Sequence, residues 1–254
     1  MKYKLLVLDV DGTLLNDERE ISKRTLAALL KVQQMGVRIV LASGRPTYGL
    51  MPLAKTLELG NYGGFVLSYN GCQIIKAQNG EILFERRINP EMLPYLEKKA
   101  RKNGFAIFTY HDDTLITDSP DNEYIKNEAL LNNLKIIKED EFSTAIDFAP
   151  CKCMLVSDKE KALIGLEQHW EKRLAGTSQG MASLSTARPA AMEHRGMAPS
   201  SHSTGLPMAL RNILRILRMA RTPMACRCTM RRTIDGTRCR LSGSSCRSCS
   251  ARPD

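Results

Sequence analysis

Residues 5–15 read Leu-Leu-Val-Leu-Asp-Val-Asp-Gly-Thr-Leu-Leu. An uninterrupted apolar run that ends in a glycine turn predicts a strand buried on both faces, the kind found in parallel sheets. Side chains alternate along a strand, so Asp9 and Asp11 are expected on one side. In an open α/β sheet the carboxyl ends of the strands are where ligands sit. Two carboxylates held close together repel, and such a pair calls for a cation or a shared proton. Gly12 frees the backbone to turn sharply and to approach a ligand closely.

Working outward, residues 18–36 predict a helix. Ser22 serves as N-cap, Leu26, Leu29 and Leu30 form an apolar face, and Gly36 ends it. Residues 37–42, Val-Arg-Ile-Val-Leu-Ala, predict a second strand running into Ser43-Gly44-Arg45-Pro46. Strand, helix and strand in this order make a βαβ unit, hence a parallel sheet with a right-handed crossover. That brings Ser43 to the same sheet edge as Asp9. A hydroxyl and backbone N–H groups between a strand end and a helix start suit a phosphate oxygen. Residues 65–68 predict a third strand leading to Tyr69-Asn70-Gly71, where Asn-Gly signals a hairpin turn. Residues 72–75 and 81–84 continue it as short antiparallel strands.

Asp-x-Asp-Gly-Thr-Leu at 9–14 and Leu-Ala-Ser-Gly-Arg-Pro at 41–46 resemble motifs I and II of the haloacid dehalogenase-like (HAD) phosphohydrolases, and the chain resembles the Cof-type members, subfamily IIB. The resemblance implies an α/β fold: a Rossmann-like core with a parallel sheet over residues 1–85, and an inserted α+β cap of the C2 type over 86–174. It implies a phosphatase in which Asp9 is the nucleophile toward phosphorus. Asp11 would protonate the leaving oxygen and then activate water, so it must carry a proton at the moment of attack. Ser43 would bind a phosphoryl oxygen. Gly12, Thr13, Gly44 and Arg45, from the same two motifs, are further phosphate- or substrate-binding candidates. Asn70 matches an x-x-Asn-Gly of the Cof-like subgroup whose Asn faces the substrate. Mg²⁺, held by Asp9 and Asp11, would screen the nucleophile from the phosphate dianion. The expected partner is a small phosphorylated metabolite, a sugar phosphate.

From about Arg86 the pattern changes to a compact alternation. It predicts a helix over 90–103 stopped by Gly104, strands over 105–110 and 114–117 joined by His111-Asp112-Asp113, a helix over 123–131, a strand over 153–157, and a last helix over 159–174 capped by Asp158. A lid of this kind would exclude water and contact the leaving group. His111, Asp112 and Asp113 read as a surface turn rather than metal ligands. Cys151 and Cys153 read as free thiols, and Trp170 as a packing residue.

The chain of 254 residues is long enough for a real core, and its 43% hydrophobic and 25% charged residues are ordinary for a globular protein. Asp9 interrupts the first apolar run, so no signal peptide is expected, and no run is long enough to span a bilayer; the expected setting is the cytoplasm. A net charge of +10 would suggest an anionic partner if it were spread evenly. It is not. Residues 175–254 carry 13 Arg and no Lys against three acids, Glu193, Asp235 and Asp254, while residues 1–174 are balanced. No specific nucleic-acid partner is expected of the balanced part.

The last 80 residues also hold five of the eight Cys and contain no Phe, Tyr, Trp or Val. They lack two features that the resemblance requires: a late Lys that holds the phosphoryl group, and a strand ending Gly-Asp-x-x-Asn-Asp. No Lys follows Lys172. A segment of this composition is a poor source of strands, so the strand bearing Asp9 is expected to keep an unpaired, apolar edge. A shift of reading frame accounts for the switch, leaving 175–254 aberrant or disordered. Codons permitted for residues 225–234, read two nucleotides in, encode Met-Pro-Val-His-His-Ala-Ala-Asp-Tyr, which resembles a run found late in Cof-type proteins. Two other readings compete. Leu210, Ile213, Leu214 and Leu217 opposite Arg211, Arg215 and Arg218 would make a basic amphipathic helix for an anionic membrane or nucleic acid. Cys226, Cys228, Cys239, Cys246 and Cys249 could ligate Zn²⁺, although their spacing matches no zinc module.

Overall fold

The computed structural model describes residues 3–159, 162 and 165–166, and the backbone of 183–187. The chain divides into two units, Met1–Arg221 and Thr222–Asp254, and every described residue belongs to the first. The arginine-bearing helix, the five late cysteines, Trp170 and Asp235 lie outside the described residues.

The first sheet is built from β1 (Leu5–Asp9), β2 (Arg38–Ala42), β3 (Phe65–Ser68), β4 (Gln73–Lys76) and β5 (Ile82–Glu85), in that spatial order. The first three strands are parallel, and β4 and β5 turn back antiparallel. Helix α1 (Lys23–Gln34) joins β1 to β2, and α2 (Thr47–Thr56) joins β2 to β3. Ser22 caps α1, its Oγ accepting from the Thr25 N–H at 3.1 Å. Two successive right-handed crossovers in one direction place both helices on one face. Leu29 of α1 and Leu50 and Ala54 of α2 accordingly pack with Ile39, Leu41 and Val66. Among the described residues β1 has one strand neighbour and stands at the end of the sheet, with Leu5, Leu6, Val7 and Leu8 only half-buried.

The second sheet has the order β10-β9-β6-β7-β8. Its strands are β6 (Ala106–His111), β7 (Thr114–Thr117), β8 (Lys135–Lys138), β9 (Lys152–Val156) and β10 (Ser183–Ala187). Helix α3 (Leu93–Asn103) ends at Gly104, whose φ of 66° makes the left-handed stop that glycine takes at low cost. With the short α5 (Phe142–Ala145), it covers one face through Leu93, Leu96 and Phe142 against Ile107 and Leu155. On the other face Ile125 and Ala129 of α4 (Glu123–Asn132) pack with Phe108, Tyr110 and Met154, and with Tyr69 and Cys72 of the first half. The second sheet therefore turns this face toward the loop that follows β3.

Three elements depart from the sequence reading. β8, Lys-Ile-Ile-Lys, is an exposed edge strand too short and too basic to stand out. α5 is a single turn. β10 lies beyond residue 174, where strands were not expected; pairing with β9 in parallel register, Ser183 beside Lys152, outweighs the weak strand propensity of Ser-Leu-Ser-Thr-Ala. Among the described residues no helix is long and apolar enough to cross a membrane.

Candidate functional site

The register of the first sheet defines the site. Asp9 pairs with Ala42, and Ala42 with Leu67, so three strands finish level with one another. Just past those ends lie Val10–Leu14, Ser43–Arg45 and Tyr69–Gly71. The first loop is a tight turn in which the Leu15 N–H reaches the Val10 carbonyl at 3.0 Å. It depends on Gly12, whose φ is +73°. The Ser43–Arg45 loop is fixed from β3: Leu67 O accepts from Ser43 N at 3.0 Å, Ser43 O from Asn70 N at 3.1 Å, and Arg45 O from Tyr69 N at 3.0 Å. Tyr69 and Asn70 hold left-handed backbone angles, φ 51° and 56°, which non-glycine residues adopt at a cost. Strain of that kind gathers at ligand sites.

Asp9 is exposed at the strand end, and its Oδ2 accepts from the Thr13 hydroxyl at 3.3 Å. Partial burial, joined by the nearby charge of Asp11, lifts its carboxyl above the usual range, while the Val10 N–H and the Thr13 hydroxyl pull it back. Asp11 does not stand open beside it. The Arg45 guanidinium grips it in a fork, Nε on Oδ2 at 2.9 Å and Nη2 on Oδ1 at 2.5 Å. Arg45 also anchors itself to the neighbouring candidate, its N–H donating to Ser43 Oγ at 3.1 Å. One residue thus ties the second acid of motif I to the hydroxyl of motif II. Asn70 completes the group: a methyl group added to Gly44 would sit 2.7 Å from Asn70 Oδ1, so glycine is what lets these loops meet.

The structure therefore gathers Ser43, Gly44, Arg45, Asp11 and Asn70 by direct contact, with Asp9, Gly12 and Thr13 on the adjoining turn. Arg45 faces Asp11 in this structure, so the guanidinium and that carboxylate occupy each other. Among the described residues no three His, Cys, Asp or Glu side chains gather as a cation site. Arg45 engages both Asp11 oxygens and Thr13 engages Asp9 Oδ2, so Asp9 Oδ1 is the oxygen of the expected Mg²⁺ pair with no hydrogen bond among the described residues. Mg²⁺ commonly takes one or two carboxylates and completes its shell with water and phosphate oxygens, and of such ligands the described residues offer the Asp9 carboxylate at the strand end.

Sequence reasoning missed Lys152. It lies on β9 of the second sheet, is only 5% exposed, and donates from Nζ to the Gly44 carbonyl at 2.9 Å. A lone lysine inside Cys-Lys-Cys-Met-Leu-Val was the available signal, because a buried strand rarely keeps a charge without a use for it. A groove of about 940 Å³ along α2, lined by Arg45, Tyr48, Lys55, Leu131 and Asn132 among others, opens beside the same loop.

Comparison with known proteins agrees with this geometry. Residues 6–189 match the model of the haloacid dehalogenase-like hydrolases. A predicted phosphatase of Streptococcus pyogenes serotype M6 is 31% identical over 137 residues, 54% of this chain and 51% of that protein. The HMP-PP phosphatase of Yersinia pseudotuberculosis is 24% identical over 175 residues, 68% of this chain and 61% of that protein. The chain thus spans about half the length, or somewhat more, of these relatives. The crystal structure of a haloacid dehalogenase-like hydrolase from Bacteroides thetaiotaomicron superposes with a TM-score of 0.67 at 35% identity, covering 85% of this chain and 78% of that one. A HAD subclass IIB sugar phosphatase shares the fold, with a TM-score of 0.57 at 17% identity, over 85% of this chain and 76% of that one. With its acids at the end of β1, the serine loop beside them at the end of β2 and a second sheet that reaches that loop through Lys152, the chain belongs to the haloacid dehalogenase-like hydrolase family, in its Cof-type branch.

Proposed function

We propose that this chain is built to hydrolyse small phosphate monoesters, sugar phosphates among them, through an aspartyl-phosphate on Asp9. The observation that supports the reading is the level ending of β1, β2 and β3, after which the loops bearing Asp9, Ser43 and Asn70 follow one another along the carboxyl edge of the sheet. The Ser43 hydroxyl and the Gly44 N–H receive the phosphoryl oxygens, the Ser43 and Arg45 N–H groups being spent on Leu67 O and Ser43 Oγ. Asp9 attacks phosphorus, the bond to the leaving oxygen breaks, and Asp11, released from Arg45, gives that oxygen a proton. Asp11 then takes a proton from the water that cleaves the acyl phosphate. Arg45, freed at the same moment, has a guanidinium to offer the phosphoryl group.

Turnover is expected to be low, because the sequence lacks the late Lys and the Gly-Asp-x-x-Asn-Asp run that the family resemblance implies. Two measurements test the proposal: para-nitrophenyl phosphate hydrolysis with and without Mg²⁺, and calorimetric binding of inorganic phosphate. Asp9→Ala should abolish whatever turnover exists, and Ser43→Ala should weaken phosphate binding. Turnover that survives Asp9→Ala, or phosphate binding indifferent to Ser43→Ala, would refute the reading.

A further inference from the structure

Lys152 is the buried cation that this reaction scheme leaves unused. Strand alternation places it with Met154 and Val156, on the face of the second sheet turned toward Tyr69 and Cys72. An ammonium carries three donors. Among the described residues it has one hydrogen-bond acceptor, the Gly44 carbonyl at 2.9 Å. Glu128 of α4 acts on it through space. That carboxylate is committed elsewhere, its Oε1 accepting from the Tyr110 hydroxyl at 2.8 Å and from Asn132 Nδ2 at 2.9 Å. The thiol of Cys72 is the other titratable group that faces it. A buried charge satisfied by one neutral carbonyl is poorly compensated for its lost hydration. The carbonyl belongs to the middle residue of the serine loop, and Lys152 Nζ and Asn70 Oδ1 both crowd the space above that residue.

We propose that Lys152 binds an oxyanion: from the second sheet, its ammonium donates to a phosphoryl oxygen of a ligand seated on Ser43-Gly44-Arg45. This rests on the phosphate site proposed above and adds to it a cation from the opposite layer. The hydrogen bond to Gly44 holds the side chain over the loop, leaving two N–H groups for the anion. A lysine serves well as a point charge toward phosphate. It would also make the phosphoryl group part of what joins the two layers.

Binding of inorganic phosphate to the full chain, followed by calorimetry, tests this with Lys152→Met, Lys152→Arg and Ser43→Ala. Lys152→Met should weaken phosphate about tenfold or more, the effect of losing one charge-assisted hydrogen bond. Lys152→Arg should restore most of the affinity. Near-UV circular dichroism confirms that each variant is folded, and Lys152→Gln replaces Lys152→Met if the latter is not. Wild-type affinity in a folded Lys152→Met or Lys152→Gln chain overturns the proposal and leaves Lys152 as a strut for the Gly44 carbonyl. If Ser43→Ala also binds phosphate unchanged, or the wild-type chain binds none, the phosphate site itself falls. Loss in Ser43→Ala with no loss at Lys152 rejects only the lysine.

Discussion

The Arg45–Asp11 fork makes an asymmetric prediction. The arginine is 8% exposed and the aspartate side chain 35% exposed. Removing the aspartate strands a guanidinium that water scarcely reaches. Breaking a buried pair in this way costs about 3–5 kcal/mol when the remaining charge stays uncompensated. Removing the arginine leaves a carboxylate that can rehydrate, and the loss should be closer to that of an exposed pair, about 1 kcal/mol. Asp11→Ala should therefore be the more destabilising change, by about 2 kcal/mol or more. Arg45→Met introduced on top of Asp11→Ala should recover part of the loss, because the stranded charge is then gone. In a domain of this size 1 kcal/mol moves the melting temperature by about 2–4 °C. Thermal melts of the four chains in a double-mutant cycle measure the difference directly. An Asp11→Ala chain that melts at or above Arg45→Met would refute the reasoning, as would a double variant less stable than both single ones.

Burial pushes the thiols of Cys151 and Cys153 up to about 12 from an ordinary 9.0. Above pH 9 the unfolded chain sheds those protons while the fold keeps them, so stability should fall by about 1.4 kcal/mol per pH unit per thiol up to about 12; a urea midpoint flat across that range would count against it. The attack proposed for Asp9 needs its carboxyl ionised, and that carboxyl is raised above 3.8, so the acid limb of any kcat/KM profile should lie above that value, and a limb at or below it would contradict the proposal. Phe108, fully buried and 5.5 Å edge-on from Tyr110, should cost about 3–5 kcal/mol as Phe108→Ala in a denaturant titration. Sequencing the gene across codons 170–254 should reveal a second frame encoding Gly-Asp-x-x-Asn-Asp; its absence would dismiss the frame shift.

The parts of the fold that were legible in the sequence are those with strong local signals. The apolar runs of β1 and β2, the Ser22 cap and the Gly104 stop each carry their own physical reason within a few residues. Because strand ends in parallel register bring their loops together, Asp9 and Ser43 could be placed at one edge before any coordinates. What was not legible depends on partners distant in the chain. The Arg45 fork spans 34 positions and the Lys152–Gly44 bond 108, and nothing in the residues around either announces its partner. β10 was missed for a related reason: its composition argues against a strand, and only β9 beside it decides the matter. β8 was hidden by lysines that an edge strand tolerates.

The position of Asp9, the proposed nucleophile, at the end of β1 has a mechanical consequence. Along the described residues that strand is fastened on one flank alone, through Leu5–Asp9 beside Arg38–Ala42. Sideways drift of the tip is resisted by one ladder rather than two, and a reacting atom about 1 Å out of place can lose about a hundredfold in rate. Whatever secures the outer flank of β1 should therefore act on turnover before it acts on the fold, and amide hydrogen exchange along Leu6, Val7 and Leu8 would report how firmly the proposed nucleophile is moored.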